Sequence, residues 1–301
     1  MTKENKAFVK KVVLALLIRP PLVLLAVLVG VFVWGGGNSP DEITVDERFL
    51  FSSSIDSPYE DTLRGIYQYS FAFCADPHLK AEGDGCFPDL DKEIRQNKIG
   101  FVVFGGDLTY VGTEGEYKNF IDHVNALTVP WYPAIGNHEL FNDGWLYYWR
   151  HLGPSSYSFL GGNAKFVVID TASGEIGEKQ MEWIAGELKT NRQPLLFVIS
   201  HMPIYGGLHE GYDFPKTEER LELIQLFEKY EVDYVLEGHY HAYVDIEANG
   251  VRYITSGCFS DGLLNGGERH FLLMRVYGPN VSVEKIPVGS DIPVEYIDGK
   301  I

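Results

Sequence analysis

Residues 99–109 read Ile-Gly-Phe-Val-Val-Phe-Gly-Gly-Asp-Leu-Thr. Six residues, mostly apolar, make a short strand of the kind buried on both faces, and the Gly105-Gly106 pair stops it. Asp107 then stands just past the strand end. The same grammar recurs along the chain. A strand from Gly65 to Ala75 runs into Asp76-Pro77-His78. A strand from Trp131 to Ile135 runs into Gly136-Asn137-His138-Glu139. A strand from Pro194 to Ser200 runs into His201, and one from Val232 to Leu236 into Gly238-His239-Tyr240-His241.

Helical patterns separate these strands. Residues 90–98 are polar-helical, and 114–126 carry Tyr117, Phe120, Ile121 and Val124 at helical spacing. Residues 175–189 and 217–230 are amphipathic. Residues 141–157 read as an aromatic-rich loop and 204–216 as a glycine-rich one. Antiparallel pairs are expected at Tyr157–Leu160 with Ala164–Asp170, at 242–257 about the Asn249-Gly250 turn, and at His270–Val276 with Val281–Ile286. Crossover helices early and hairpins late predict an α/β fold with mixed sheets.

In such sheets the chemistry lies beyond the carboxyl ends of the strands. Here those ends hold carboxylates, an amide oxygen and imidazoles, a hard-to-borderline metal ligand set. Five of the nine histidines stand there. A lone histidine in such a place is more often a hydrogen-bonded core or loop residue. The joint arrangement is not explained that way.

The order Asp-x-His, Gly-Asp, Gly-Asn-His-Glu, His, Gly-His-x-His resembles the calcineurin-like metallophosphoesterases over about residues 66–286. Softer matches are Gly106-Asp107-Leu108-Thr109 ahead of the helix with Glu116-Tyr117, Tyr157-Ser158-Phe159, and the helix with Gln180 and Trp183. The resemblance implies a two-sheet mixed β sandwich flanked by helices, with two metals at the sheet edge. It assigns Asp76, His78 and His241 to the first metal, Asp107 as the bridge, and Asn137, His201 and His239 to the second. His138 becomes the non-ligand catalytic histidine near the leaving group. The implied cofactors are two divalent or mixed-valence transition metal ions, commonly iron, manganese or zinc. The implied chemistry is hydrolysis of phosphomonoesters or phosphodiesters by a bridging hydroxide attacking phosphorus in line. Glu139 has two readings, orienting His138 or capping a helix.

Asp107-x-x-Tyr110 and Val198-x-x-His201 also resemble purple acid phosphatase motifs, in which the tyrosine ligates ferric iron. Those enzymes lack the histidine that stands here as His78, so His78 is preferred as ligand and Tyr110 becomes a packing or substrate-side residue. Cyclic-nucleotide phosphodiesterases share the Gly-Asp-Leu-Thr style. A catalytically inactive metal-binding protein is the competing class, and the complete ligand set with His138 argues against it.

The chain has 301 residues and a formal charge of −17. The first 34 residues hold five bases and one acid, which leaves −21 on the rest. A body so acidic excludes bulk nucleic-acid binding, which needs a basic surface. Residues 12–34 are apolar apart from Arg19 and the Pro20-Pro21 break, long enough to span a bilayer. With lysines ahead of it, the segment 1–37 is expected to be an anchor that holds the body outside the cytoplasmic membrane. A cleaved signal and secretion form the rival reading. Residues 38–65 are expected to be linker and lead-in, and 66–301 the catalytic domain. Substrates are then small phosphoesters or lipid head groups. Export would permit a Cys74–Cys86 disulfide; buried thiols are the other reading. The loops with Phe141, Trp145, Tyr147, Tyr148 and Trp149, and with Ile204, Tyr205, His209 and Tyr212, are expected to rim the pocket.

Overall fold

A computed structural model describes residues 43–208, 211–260 and 268–289. Two sheets face each other. The first has the order β11-β10-β1-β2-β3, from β1 (Gln68–Cys74), β2 (Ile99–Phe104), β3 (Trp131–Pro133), β10 (His270–Tyr277) and β11 (Asn280–Pro287). The second has the order β4-β5-β6-β7-β9-β8, from β4 (Tyr157–Gly161), β5 (Ala164–Val168), β6 (Leu195–Ile199), β7 (Tyr234–Glu237), β8 (Val244–Ala248) and β9 (Val251–Thr255). Strands β1, β2 and β3 run parallel, as do β5, β6, β7 and β9; the hairpin strands β10, β11, β4 and β8 add antiparallel flanks. The expected mixed two-sheet α/β sandwich is the fold.

The strands alternate their side chains between two apolar layers, which is why they read as continuous hydrophobic runs. From β1, Phe71 and Phe73 point between the sheets and meet Phe101, Val103, Phe166 and Phe197, all fully buried. Phe71 stacks on Phe101 at 5.0 Å between ring centroids and meets Phe166 edge-on at 5.3 Å. Ala72 and Cys74 face the other way, toward α2 (Phe87–Asn97), α3 (Glu114–Ala126) and α4 (Gly144–His151). The outer face of the second sheet packs under α5 (Glu178–Lys189) and α6 (Thr217–Lys229). Each buried phenylalanine contributes on the order of 1.5–3 kcal/mol.

Two stretches differ from the sequence reading. Residues 141–157 are not an open aromatic loop: a 3₁₀ turn (Asn137–Asp143) leads into α4, and Trp145 and Tyr148 are buried in the core beside Phe104 and Tyr117. Aromatics spaced three apart on one helical face supply core, and that periodicity was legible. Residues 45–53, within the presumed linker, form helix α1 (Val45–Ser53), started by a Thr44–Glu47 capping box. Arg48 fastens it to Asp170. Among the described residues no helix is long and apolar enough to cross a membrane; the expected anchor at 1–37 lies outside the described residues. Cys74, Cys86 and Cys258 are all buried and no disulfide joins them.

Candidate metal centre

Parallel strands bring the five motifs to one edge. Asp76 follows β1, Asp107 follows β2, and Asn137 and His138 follow β3; from the other sheet, His201 follows β6, and His239 and His241 follow β7. Backbone bonds fasten the neighbouring loops: Asp76 N–H donates to Gly106 C=O at 3.2 Å, His78 N–H to Asp107 C=O at 2.9 Å, and Gly238 N–H to His201 C=O at 2.9 Å.

The side chains form two groups that share one carboxylate. Asp76, His78, Asp107 and His241 place one potential ligand atom each within 4.8 Å of one another, and so do Asp107, His201 and His239. In the first group, His78 Nε2 lies 3.1 Å from His241 Nε2 and 3.7 Å from Asp107 Oδ2, and His241 Nε2 lies 3.3 Å from Asp76 Oδ1. In the second, His201 Nε2 lies 3.3 Å from Asp107 Oδ1 and 3.1 Å from Asn137 Oδ1. All seven predicted ligand residues therefore converge.

Five of them, Asp76, His78, Asp107, His239 and His241, have φ between +45° and +67°. That left-handed backbone is uncommon for residues with a Cβ, and it concentrates where the surroundings over-determine a functional geometry. Glycines permit the crowding. Gly106 has φ +90°, and a Cβ there would lie 2.6 Å from the His201 ring.

Tautomers follow from the partners. A carbonyl only accepts, so His201 Nδ1 carries the proton it donates to Gly105 C=O at 2.9 Å. Its Nε2 lone pair is thereby turned toward Asp107 and Asn137. An imidazole fixed through its far nitrogen is the usual arrangement of a metal-ligating histidine. His138 is fixed the same way, with Nδ1 donating to Tyr110 C=O at 2.5 Å. Its Nε2 sits 3.8 Å from Asp107 Oδ2, its backbone N–H donates to Asp107 Oδ1 at 2.9 Å, and its side chain is 27% exposed. It is the half-open member of the site.

The electrostatics call for added positive charge. Burial pulls His78 down to about 3 and His239 to about 4, so both rings are neutral at pH 7. Burial works to raise both aspartates, but His241 beside Asp76, and His201 and His138 beside Asp107, hold them below the usual carboxylate range. Burial likewise opposes charge on His201, yet the adjacent Asp107 carboxylate lifts it to about 9. Two buried carboxylates thus stand among imidazoles, of which His78 and His239 are neutral. Each buried ion costs several kcal/mol unless compensated. Metal cations would compensate these carboxylates, and the neutral His78 and His239 imidazoles and the Asn137 oxygen have the chemistry of ligands, so the donor set fits two ions.

Glu139, left open by its sequence, is a brace. It accepts from Thr109 N–H at 2.9 Å, Thr109 hydroxyl at 2.8 Å and Gly136 N–H at 2.8 Å. It therefore ties the Asp107 loop to the Asn137 loop and caps the 3₁₀ turn. The Gly-Asp-Leu-Thr pattern held Thr109 in view without its role. Cys258, whose thiol donates to Asp76 C=O at 3.1 Å, carries no sequence signal. Tyr110 stands outside the cluster, its ring 6.4 Å from those of His78 and His138. Of the expected rim aromatics, Phe141 lies 5.1 Å from the His138 ring and is 46% exposed, and Tyr212 lies 5.6 Å from His239. Tyr205 packs on Tyr253 instead, and His209 lies outside the described residues.

The family model of the calcineurin-like phosphoesterases matches residues 69–243, more than half of the chain and every motif above. This chain belongs to that family. It is a phosphoester hydrolase of the metal-dependent kind. A 3′,5′-cyclic-nucleotide phosphodiesterase of Nostoc is 25% identical over 227 residues, 68% of this chain and 82% of that protein. An Fe(3+)-Zn(2+) purple acid phosphatase of Arabidopsis thaliana is 30% identical over 182 residues, 50% of this chain and 38% of that protein. The solved structure of a purple acid phosphatase from yellow lupin seeds shares the fold, with TM-score 0.62 and 20% identity over 79% of this chain and 54% of the other.

Proposed function

We propose that this protein is a two-metal hydrolase of small phosphomonoesters or phosphodiesters, tethered at the outer face of the cytoplasmic membrane by its N-terminal segment. The observation that carries the catalytic part is Asp107, one buried carboxylate common to two groups of ligand atoms. Asp76, His78 and His241 would hold one ion, and Asn137, His201 and His239 the other. When bound, such ions supply Lewis acidity toward the phosphoryl oxygens and an activated water as nucleophile.

The protein's own groups do the rest. Gly105 C=O keeps the His201 lone pair aimed inward, and Glu139 keeps the Asp107 and Asn137 loops in register. His138, locked through Nδ1, presents Nε2 to the open side. There it is placed to donate a proton to the departing alkoxide oxygen, and geometry of this kind is typically worth 10²–10⁴-fold. Phe141 and Tyr212 flank the mouth and offer apolar faces to a base or aryl group. The Nostoc relative's name makes cyclic nucleotides a substrate class to include. The purple acid phosphatase relative makes iron and zinc the first metals to try.

The test is a metal-loaded panel on the detergent-solubilised full chain, with aryl phosphomonoester, aryl phosphodiester, cyclic nucleotide and glycerophosphodiester substrates. Turnover of at least one, lowered in His138→Ala without metal loss, supports the reading. Undetectable turnover across metals and substrates favours a metal-binding protein without catalysis. For location, the apolar run at 12–34 with lysines ahead of it supports the tether. Protease added outside intact cells should cut a membrane-bound body. A body protected until lysis contradicts it, and release with a new N-terminus near residue 36 indicates a cleaved signal.

A further inference from the structure

Helix α1 reaches the metal edge through a buried relay. Arg48 is fully buried. Its Nε and one terminal nitrogen grip Asp170 at 2.9 and 3.1 Å, the latter also donating to Ser173 at 2.9 Å. Ser52 of the same helix bonds Ser155 at 3.1 Å, and Ser155 donates to Asp170 at 2.9 Å. Asp170 N–H in turn donates to Gln180 at 2.7 Å, so the aspartate is held on every side.

The next residue carries the link onward. Thr171, also fully buried, accepts with its one hydroxyl oxygen from His201 N–H at 3.1 Å and Met202 N–H at 3.0 Å. His201 is the residue whose Nε2 faces Asp107 and Asn137. A planar, bidentate Arg–carboxylate pair fixes direction as well as distance. The position of Asp170 therefore sets the position of Thr171, and Thr171 sets the backbone from which the His201 ring projects.

We propose that Arg48 is a positioning residue for the second metal position, acting through Asp170 and Thr171 on His201, so that docking of helix α1 is a condition for tight binding there. The proposal rests on the two-metal reading. Groups that orient ligands typically change metal affinity by about 10- to 100-fold. Because the relay from Asp170 ends on the His201 backbone, the loss should fall mainly on the ion that His201 would hold. A merely structural clasp would lower thermal stability and leave both affinities alone.

The experiment titrates Mn²⁺ into the metal-free full chain in detergent, counting ions and affinities by calorimetry. The variants are Thr171→Val, which removes the hydroxyl acceptor of the His201 and Met202 N–H groups with little change of volume, Thr171→Ser, which keeps the hydroxyl, and the pair Arg48→Met with Asp170→Asn. The pair removes both charges, so no buried ion is left alone to unfold the protein. The expected result is two ions on wild type and Thr171→Ser, with one of the two sites loosened about tenfold or more in Thr171→Val and in the double variant and the other unchanged. Unchanged affinities in folded Thr171→Val and double variant overturn the proposal. A second arm needs no metal: hydrogen exchange of peptides across 199–203 in the metal-free chain. Faster exchange in the double variant supports the relay, and unchanged exchange overturns it. If wild type binds no Mn²⁺ while the exchange arm succeeds, the two-metal reading fails and the mechanical link stands.

Discussion

Gly136→Ala is the substitution whose consequence can be worked most fully from the geometry. Gly136 has an ordinary extended backbone, φ −117° and ψ −177°, so alanine meets no conformational penalty there. The whole effect is contact. A Cβ at that position would lie 2.2 Å from Asp107 Oδ1 and 2.3 Å from the Asp107 backbone nitrogen. Real Cβ atoms do not approach that closely, so the Asp107 and Asn137 loops must part by about 1 Å, in a core that resists such moves at a typical cost of about 1–3 kcal/mol. The part that moves is the carboxylate shared by both ligand groups. A 1 Å misplacement at a reacting centre typically lowers turnover about 10²-fold. The assay compares kcat on the best substrate with metal content and thermal midpoint. The expected result is a folded protein with a midpoint lowered by several degrees, impaired metal retention and turnover reduced about a hundredfold. Full metal content with turnover within a factor of three would refute the reasoning.

Trp145→Ala should destabilise by about 3–5 kcal/mol, since the ring is buried in the core; exposed Phe141→Ala should leave stability intact and shift KM between aryl and aliphatic substrates, both read by calorimetric melting and steady-state kinetics. His270 donates from Nδ1 to Glu268 C=O at 2.8 Å and accepts at Nε2 from Gly257 N–H at 3.1 Å, a pattern only the neutral ring can make, and burial lowers its pKa. Its folded pKa lies below the unfolded value of about 6.5, so its contribution is fully present above that value and is lost as pH falls from there through the lower folded pKa, with a slope of up to about 1.4 kcal/mol per pH unit; His270→Gln should flatten that part of a urea-midpoint profile. Removing metal with a chelator should lower the melting temperature, because ligands that bind only the folded state stabilise it by about 2.7 kcal/mol per site at a hundred times Kd; a midpoint indifferent to chelator and to added Mn²⁺ would count against the site.

The strand-end motifs were readable because each consists of a buried apolar run and a polar residue directly after it. Parallel topology then does the assembling, so seven residues scattered from 76 to 241 meet at one edge. Helix α3 matched its sequence bounds because a capping box and a clear apolar face mark it. The aromatic stretch 144–151 misled in a specific way: proximity in sequence to His138 suggested pocket lining, while its helical period put Trp145 and Tyr148 inside. Helix α1, inside the stretch read as linker and lead-in, is hard to see in sequence because its nine residues have little net hydrophobicity, and what secures it is Arg48 to Asp170, a pair 122 residues apart. No local pattern encodes such a pair. The backbone carbonyls of Gly105 and Tyr110, which set two histidine tautomers, have no sequence signature at all.

The central claim is that Asp107 is shared by two bound metal ions. Anomalous diffraction from crystals of the metal-loaded protein, collected at the metal's absorption edge, addresses it directly. Two peaks are expected about 3.5–4 Å apart, one on each side of the Asp107 carboxylate, the first among Asp76, His78 and His241 and the second among Asn137, His201 and His239. A single peak, or two peaks of which either lies out of reach of Asp107, would contradict it.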